Sequence, residues 1–236
     1  KPYSALEHVW DEGFGYFGAA RNFNDYSDDE IAGKATEDAR ADWLGSHDTN
    51  DDSMIDFTSE FNFGHSTNAA KRDRGSAVDI DLTKEAFDAF VSGRTLIVNA
   101  DGDLSASELS ELQGYRDTLM GAWEKAIAAT VVHYINDTLA DMATFETTDY
   151  NFLNHAKNWS EMKGFALILQ FNVSHSIMDA TEFSDLHMDI GNAPVLPGDA
   201  GIGEYKTALR DARDDLFTIY SFPVENKGDA DGANGW

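Results

Sequence analysis

Residues 105–133 read SASELSELQGYRDTLMGAWEKAIAATVVH, and this stretch decides the fold class. It opens on Ser105 and Glu108, the spacing of a capping box, in which a hydroxyl and a carboxylate satisfy the first free N–H groups of a helix. Behind this start, one row of side chains recurs every seven residues, at Leu112, Leu119, Ala126 and His133. A second row lies between them, at Tyr115, Trp123 and Thr130. Such a stripe is typical of a long helix that packs in a bundle.

The rest of the chain repeats this helical pattern. Capping signals at Ser4 and Ser27 and apolar spacing elsewhere predict further helices at about 4–17, from 27, at 84–98 after Thr83, at 149–173 and at 204–220. No stretch alternates convincingly as a strand does. We therefore expect an all-α fold, an up-and-down helical bundle over residues 1–224 with a long polar loop at 46–76. The Gly- and Asp-rich residues 225–236 are expected to form a flexible acidic tail.

Composition excludes several classes of function. The 236 residues are 42% apolar, which is too much for a disordered acidic tail, and 43 Asp and Glu against 17 Lys and Arg give a net charge of -26. Such a surface repels phosphate, so nucleic acid and anionic membranes are disfavoured as partners, and cations or basic partners are favoured. With 0 Cys the chain has no thiolate metal site or cysteine nucleophile.

The chain also lacks targeting and membrane-spanning signals. No apolar run approaches the roughly 18 residues that a transmembrane helix needs. The sequence starts at Lys1-Pro2, without an initiator Met or a signal peptide, so we expect it to be the C-terminal part of a longer protein.

The sharpest local motif predicts a calcium site. In the stretch 48–60, loop positions one, three, five, seven and nine are occupied by Asp48, Asn50, Asp52, Met54 and Asp56. This resembles an EF-hand loop, because a hard cation takes six to eight oxygens and alternate residues of a tight turn point inward. Two departures are that Ser53 replaces the turn glycine and that Glu60 falls one residue after the twelfth position. The alternative is a solvated acidic turn that caps the next helix.

A second acidic loop is a weaker calcium candidate. Its ligands would be Asn99, Asp101, Asp103 and Glu108, with Gly102 as the turn glycine. Ile97 then occupies the first ligand position, which is a serious defect. Because extracellular calcium is millimolar, imperfect loops fill there and not in cytosol, which predicts a periplasmic or cell-surface location.

A third candidate site consists of ionisable residues on apolar helix faces. These residues are His8, Glu12, His133, His155 and Glu161. Histidine and carboxylate four residues apart can chelate one ion, so iron or zinc is one interpretation of the set. His8, Glu12 and His155 would then be the catalytic candidates. The other interpretation is a buried hydrogen-bond network that fixes helix register.

The segment His8-Val-Trp-Asp-Glu12-Gly-Phe-Gly-Tyr resembles the His-x-Trp-Asp-Glu-x-Phe-Gly-Tyr signature of an uncharacterised family of exported bacterial proteins. Further matches lie at 59–62, 71–73, Gly93-Arg94 and 155–165. This resemblance implies a surface lipoprotein or periplasmic protein.

More distantly, the chain is similar to the imelysin-like helical bundles, which are linked to iron uptake and were once called metallopeptidases. Their Gly-x-His-x-x-Glu motif would fall on residues 6–11, where Leu6 replaces the Gly and Asp11 the Glu. The resemblance therefore implies helices and export far more than a reaction.

Three functions follow as expectations. The first is a non-enzymatic calcium-binding protein of imelysin-like type that captures iron or another ligand. The second is a metallopeptidase that uses His8 and Glu12. The third is a structural protein of the cell surface whose assembly with a surface or outer-membrane partner depends on calcium.

Overall fold

The computed structural model describes residues 2–100 and 102–236. Over these residues the chain is all-helical, with 59% helix, 8 α-helices and no strand. In chain order the helices are α1 (Ala5–Phe17), α2 (Asp28–Ile31), α3 (His65–Asp73), α4 (Leu82–Asn99), α5 (Ala106–Ala143), α6 (Phe152–Ile168), α7 (Ala180–Asp189) and α8 (Ile202–Tyr220). None of these helices is both long and apolar enough to cross a membrane. The all-α prediction is confirmed.

Capping chemistry places several helix starts where the sequence predicts them. Ser4 and Ser27 both form complete capping boxes, with Glu7 and Glu30 respectively. The start of α4 was predicted wrongly, because Asp81 and not Thr83 is its N-cap. The Asp81 carboxylate accepts from the Lys84 N–H at 3.1 Å, whereas Thr83 is buried.

One helix lies where the sequence predicts a loop, and another was not predicted. Helix α3 falls inside the expected polar loop at 46–76, and it begins after Gly64 at a φ of 61°. Its sequence, HSTNAAKRD, has too few apolar residues for a helical stripe, so its helicity depends on packing. Asp179 is the N-cap of helix α7 and forms a capping box with Glu182.

The chain divides into two compact units. The first unit comprises residues 1–74 and 80–123. Inside it, α1 packs against α4 through aromatic rings: Phe14 lies 5.6 Å from Phe90, and Phe17 lies 5.7 Å from the same ring. The Phe23 ring, which follows α1, lies 5.2 Å from the Phe87 ring.

The second unit comprises residues 75–79 and 124–236. Its last residues pack against the body of the unit, in contrast to the expected flexible tail. Trp236 is buried and lies 4.8 Å from the Phe222 ring. Asn136 of α5 donates to the carbonyls of Lys227 and Trp236, both at 3.1 Å. Helix α5 contributes residues to both units.

Candidate functional site

The side chains of the first acidic loop fold its backbone into a tight turn. Asp48 accepts from the N–H groups of Asp52 and Ser53, at 3.2 and 2.7 Å. Asn50 accepts from Asp52 at 2.9 Å. Asp52 in turn accepts from the Met54 N–H at 2.9 Å. Each alternate side chain therefore bends back over the residues that follow it, which brings its oxygens toward the inside of the turn.

Two residues of this loop have a positive φ. Ser53 stands where the motif prefers Gly, and it has a φ of 68°. Asp51 has a φ of 59°. Asp tolerates this left-handed region better than most residues. At Ser53 the same conformation carries strain that a Gly would avoid. The chain thus forms the turn with Ser53 at the position where the motif has Gly.

Glu60 connects the two ends of the loop by hydrogen bonds. Its side chain is buried, and its two carboxylate oxygens accept from the backbone N–H of Thr49 at 2.8 Å and of Asp56 at 3.0 Å. Asp56 accepts from the Thr58 backbone N–H and from the Ser59 hydroxyl. Hydrogen bonds from Asp56 and Thr49 lower the pKa of Glu60, and hydrogen bonds from Thr58 and Ser59 lower that of Asp56. Both carboxylates are therefore held in their charged form.

Within residues 2–100 and 102–236, no three His, Asp or Glu side chains lie close enough together to hold a metal ion. Besides its carboxylates, the first loop offers the Asn50 amide oxygen and backbone carbonyls such as that of Met54 as neutral oxygen donors. Calcium accepts such neutral oxygens, and fewer charged ligands mean weaker binding.

The second acidic loop falls partly outside the described residues, because Asp101 is not among them. Asn99 is the last residue of α4. Glu108 accepts from the Ser105 N–H at 2.8 Å, and the Glu108 N–H donates to the Ser105 hydroxyl at 3.3 Å. Glu108 thus caps α5, the alternative for an acidic loop of this kind. Asp103 is exposed.

The histidine and carboxylate candidates lie in different surroundings. His8 and Glu12 form a pair at 3.7 Å whose side chains are 46% and 56% exposed. His133 lies 3.5 Å from Asp137, and Glu161 lies 3.9 Å from Lys157.

His155 is the buried member of this set. Its Nε2 atom lies 3.1 Å from the Val195 carbonyl, and the rings of Phe145 and Tyr150 flank it at 5.4 and 6.0 Å. Burial lowers its pKa, which favours the neutral imidazole. A neutral imidazole whose Nε2–H donates to a carbonyl fits the hydrogen-bond interpretation of this residue.

The His-x-Trp-Asp-Glu segment has a packing role in this structure. The Trp10 indole donates to the Phe90 carbonyl at 2.9 Å and lies against Gly93. Asp11 pairs with Arg94 at 2.7 Å, and Glu7 pairs with the same guanidinium at 2.8 Å. The segment thus attaches α1 to α4. Its contacts on α4 include Gly93 and Arg94, which also belong to the family resemblance.

Sequence reasoning missed a buried carboxylate at Glu124. Its oxygens accept from the N–H of Ile177 at 2.9 Å and of Met178 at 3.3 Å, and from the Tyr220 hydroxyl at 2.9 Å. It also accepts from the Asn172 amide. The signal that the sequence offered for this buried carboxylate was a single acidic residue within the apolar stretch of α5. The arrangement orders the segment before α7.

Comparisons with known proteins give no assignment: no family model, curated protein or solved structure matches this chain.

Proposed function

We propose that this chain is a non-enzymatic calcium-binding protein whose ion is held by the loop at residues 48–60. The observation that carries the proposal is the turn at residues 48–54, in which Asp48, Asn50 and Asp52 fold inward and Ser53 adopts the backbone conformation of the EF-hand glycine. The buried Glu60 supports it further, because it fixes both ends of the loop before any ion arrives.

The donor set supports a weak site. Ser53 is strained, and Glu60 already accepts three hydrogen bonds from Thr49 and Asp56. Loops of this kind fill where calcium is millimolar, so the proposal includes a location outside the cytoplasm. Capture of iron or another ligand, as the imelysin-like resemblance implies, would be a second activity of such a protein. No observation favours a metallopeptidase, since His8 and Glu12 form an exposed pair with no third metal ligand among the described residues.

Calorimetric titration and thermal unfolding with calcium test the proposal. We expect millimolar calcium to raise the melting temperature and excess chelator to reverse the rise. When free ion exceeds the dissociation constant a hundredfold, binding stabilises the folded state by about 2.7 kcal/mol.

Asp52→Asn is the decisive variant, because an amide keeps the hydrogen bond to Met54 and removes only the charge. We expect it to lose the calcium response while it keeps the melting temperature of the ion-free protein. Asp38→Asn, at an exposed residue outside the loop, is the matched control and should respond like the parent. Equal calcium responses in the parent and Asp52→Asn would refute the site.

A further inference from the structure

A groove lies between α1 and the first turns of α5, in the first compact unit. Its volume is about 340 Å³, and its wall residues include Leu6, Val9, Trp10, Leu109, Leu112 and Met120. Pockets that bind small molecules fall in the range of roughly 300–1,000 Å³ and are mostly apolar. The groove therefore has the size and lining of a ligand site, and it does not involve the acidic loop.

The groove has a buried floor and an exposed apolar rim. Phe90, Leu112 and Leu119 form the floor and are buried. The rim is open to solvent, with exposures of 41% for Leu6, 63% for Val9 and 47% for Leu109. Exposed apolar groups that cluster around a depression mark binding surfaces, because each would be more stable out of water.

Trp10 gives the groove a rigid apolar wall. Its only polar atom, Nε1, already donates to the Phe90 carbonyl at 2.9 Å, so the indole has no further hydrogen bond to offer a ligand. The ring lies so close to Gly93 that a Cβ atom there would stand 2.1 Å from its Cζ2 atom. A ligand therefore meets an aromatic surface that is held in one position.

Arg116 determines the charge of the groove. Among the described residues that line it, Arg116 alone is ionised, although the chain as a whole has a net charge of -26. Its guanidinium lies 2.7 Å from the Asp117 carboxylate, with the two side chains 34% and 54% exposed. Exposed pairs of this kind contribute roughly 0–1 kcal/mol, so an anion in the groove can compete for Arg116.

We propose that this groove binds an amphiphile with an aliphatic body and a carboxylate head, which is the chemistry of a fatty acid. The aliphatic body lies along Trp10 and Leu112, and the carboxylate pairs with Arg116. Charge complementarity favours this occupant over a cationic amphiphile, since the guanidinium attracts an anionic head and repels an ammonium.

Calorimetric titration with three ten-carbon probes tests the proposal, each probe below its micelle concentration or its solubility limit. The probes are decanoate, 1-decanol and decyltrimethylammonium, which share a chain and differ in head charge. We expect decanoate to bind most tightly and decyltrimethylammonium least tightly. No binding of decanoate, or equal binding of the cationic probe, would overturn the proposal.

Two variants separate the head from the body. Arg116→Gln is expected to weaken decanoate on the order of fivefold and to leave 1-decanol unchanged, because only the ion pair is lost. Val9→Asp places a charge on the exposed rim and is expected to weaken both probes. Val173→Asp, at a residue that is 87% exposed in the second unit, is the matched control and should bind as the parent does.

Two further measurements exclude other occupants. Sedimentation of the parent and of Val9→Asp shows whether a second copy covers the groove; a parent dimer that Val9→Asp dissociates would overturn the proposal. Flotation with phosphatidylcholine vesicles shows whether the rim inserts into a bilayer. Vesicle binding without decanoate binding would assign the groove to a membrane surface and overturn it as well.

Discussion

At the scale of single residues, Trp10 reaches its position because residue 93 has no side chain. A Cβ atom on Gly93 would meet three indole atoms at 2.1 to 2.8 Å. The indole sits on α1 and Gly93 on α4, so one absent methyl group sets the distance between these helices. Both residues belong to segments that resemble the exported bacterial family, and the sequence pattern gives neither a packing role.

Gly93→Ala is therefore expected to destabilise the protein by about 2 kcal/mol, the usual cost of overpacking. Denaturant unfolding followed by Trp fluorescence measures this change. Gly114→Ala in α5 is the matched control, because no atom lies within 4 Å of its Cβ position. It should be neutral or stabilising by roughly 0.5–1 kcal/mol, since alanine favours a helix. A Gly93→Ala protein as stable as the parent would show that Trp10 moves without cost.

At the scale of elements, two carboxylates meet where α2, α3 and α4 join. The Thr83 N–H donates to Asp73 at 2.8 Å, and the Thr83 hydroxyl lies 3.2 Å from Asp28. Burial, together with nearby acidic groups, raises the pKa of Asp73 to about 7 and that of Asp28 to about 6. The folded state therefore binds protons at this junction more tightly than the unfolded chain does.

This junction predicts a loss of stability as pH rises. The unfolded pKa of Asp is about 3.9, so the contribution is full below about pH 4 and disappears as pH rises through about 6 to 7. Asp73→Asn removes one titrating group, and we expect it to reduce the fall in melting temperature between about pH 4.5 and about pH 7.5. Asp38→Asn is the control. An unchanged pH profile in Asp73→Asn would contradict the assignment.

Glu30 acts in the opposite direction. Its hydrogen bonds with Arg40 lower its pKa to about 2, so its contribution is present above about pH 4.5 and is lost as pH falls toward 2. The acidic and the near-neutral parts of the profile of stability against pH can be measured separately. Glu30→Gln should reduce only the fall in melting temperature on acidification, which melting curves between about pH 2 and about pH 4.5 would show.

At the scale of the whole molecule, the net charge of -26 opposes compaction. Like charges repel one another more strongly in the folded chain, and salt screens this repulsion over a Debye length of about 10 Å at 0.1 M. Calcium bound at the proposed site would act differently, because a bound ion stabilises the folded state through mass action and not through ionic strength.

Raising KCl from about 0.05 M to about 0.5 M is therefore expected to raise the melting temperature, since screening removes self-repulsion. At the higher salt, about 1 mM calcium should raise it further, and the same concentration of magnesium should have a smaller effect because magnesium gives up its water reluctantly. Equal shifts with the two ions, or none with calcium at high salt, would assign the response to screening alone.

The sequence by itself determined the helical class and several helix starts. Capping boxes and apolar stripes are local patterns, so Ser4, Ser27 and the 105–133 stretch predict α1, α2 and α5 without knowledge of the fold. The loop at 48–54 belongs with them, because its hydrogen bonds join residues no more than five apart.

Only the tertiary structure decided what each polar side chain does. His8 lies exposed while His155 is buried, and Glu124 binds a segment about fifty residues away, yet all three stand on helices with similar local patterns. The division into two units and the packed end at Trp236 also depend on contacts between distant residues. The physical reason is that burial and hydrogen-bond partners are set by which helices pack together, and a periodic sequence specifies a face without specifying its neighbour.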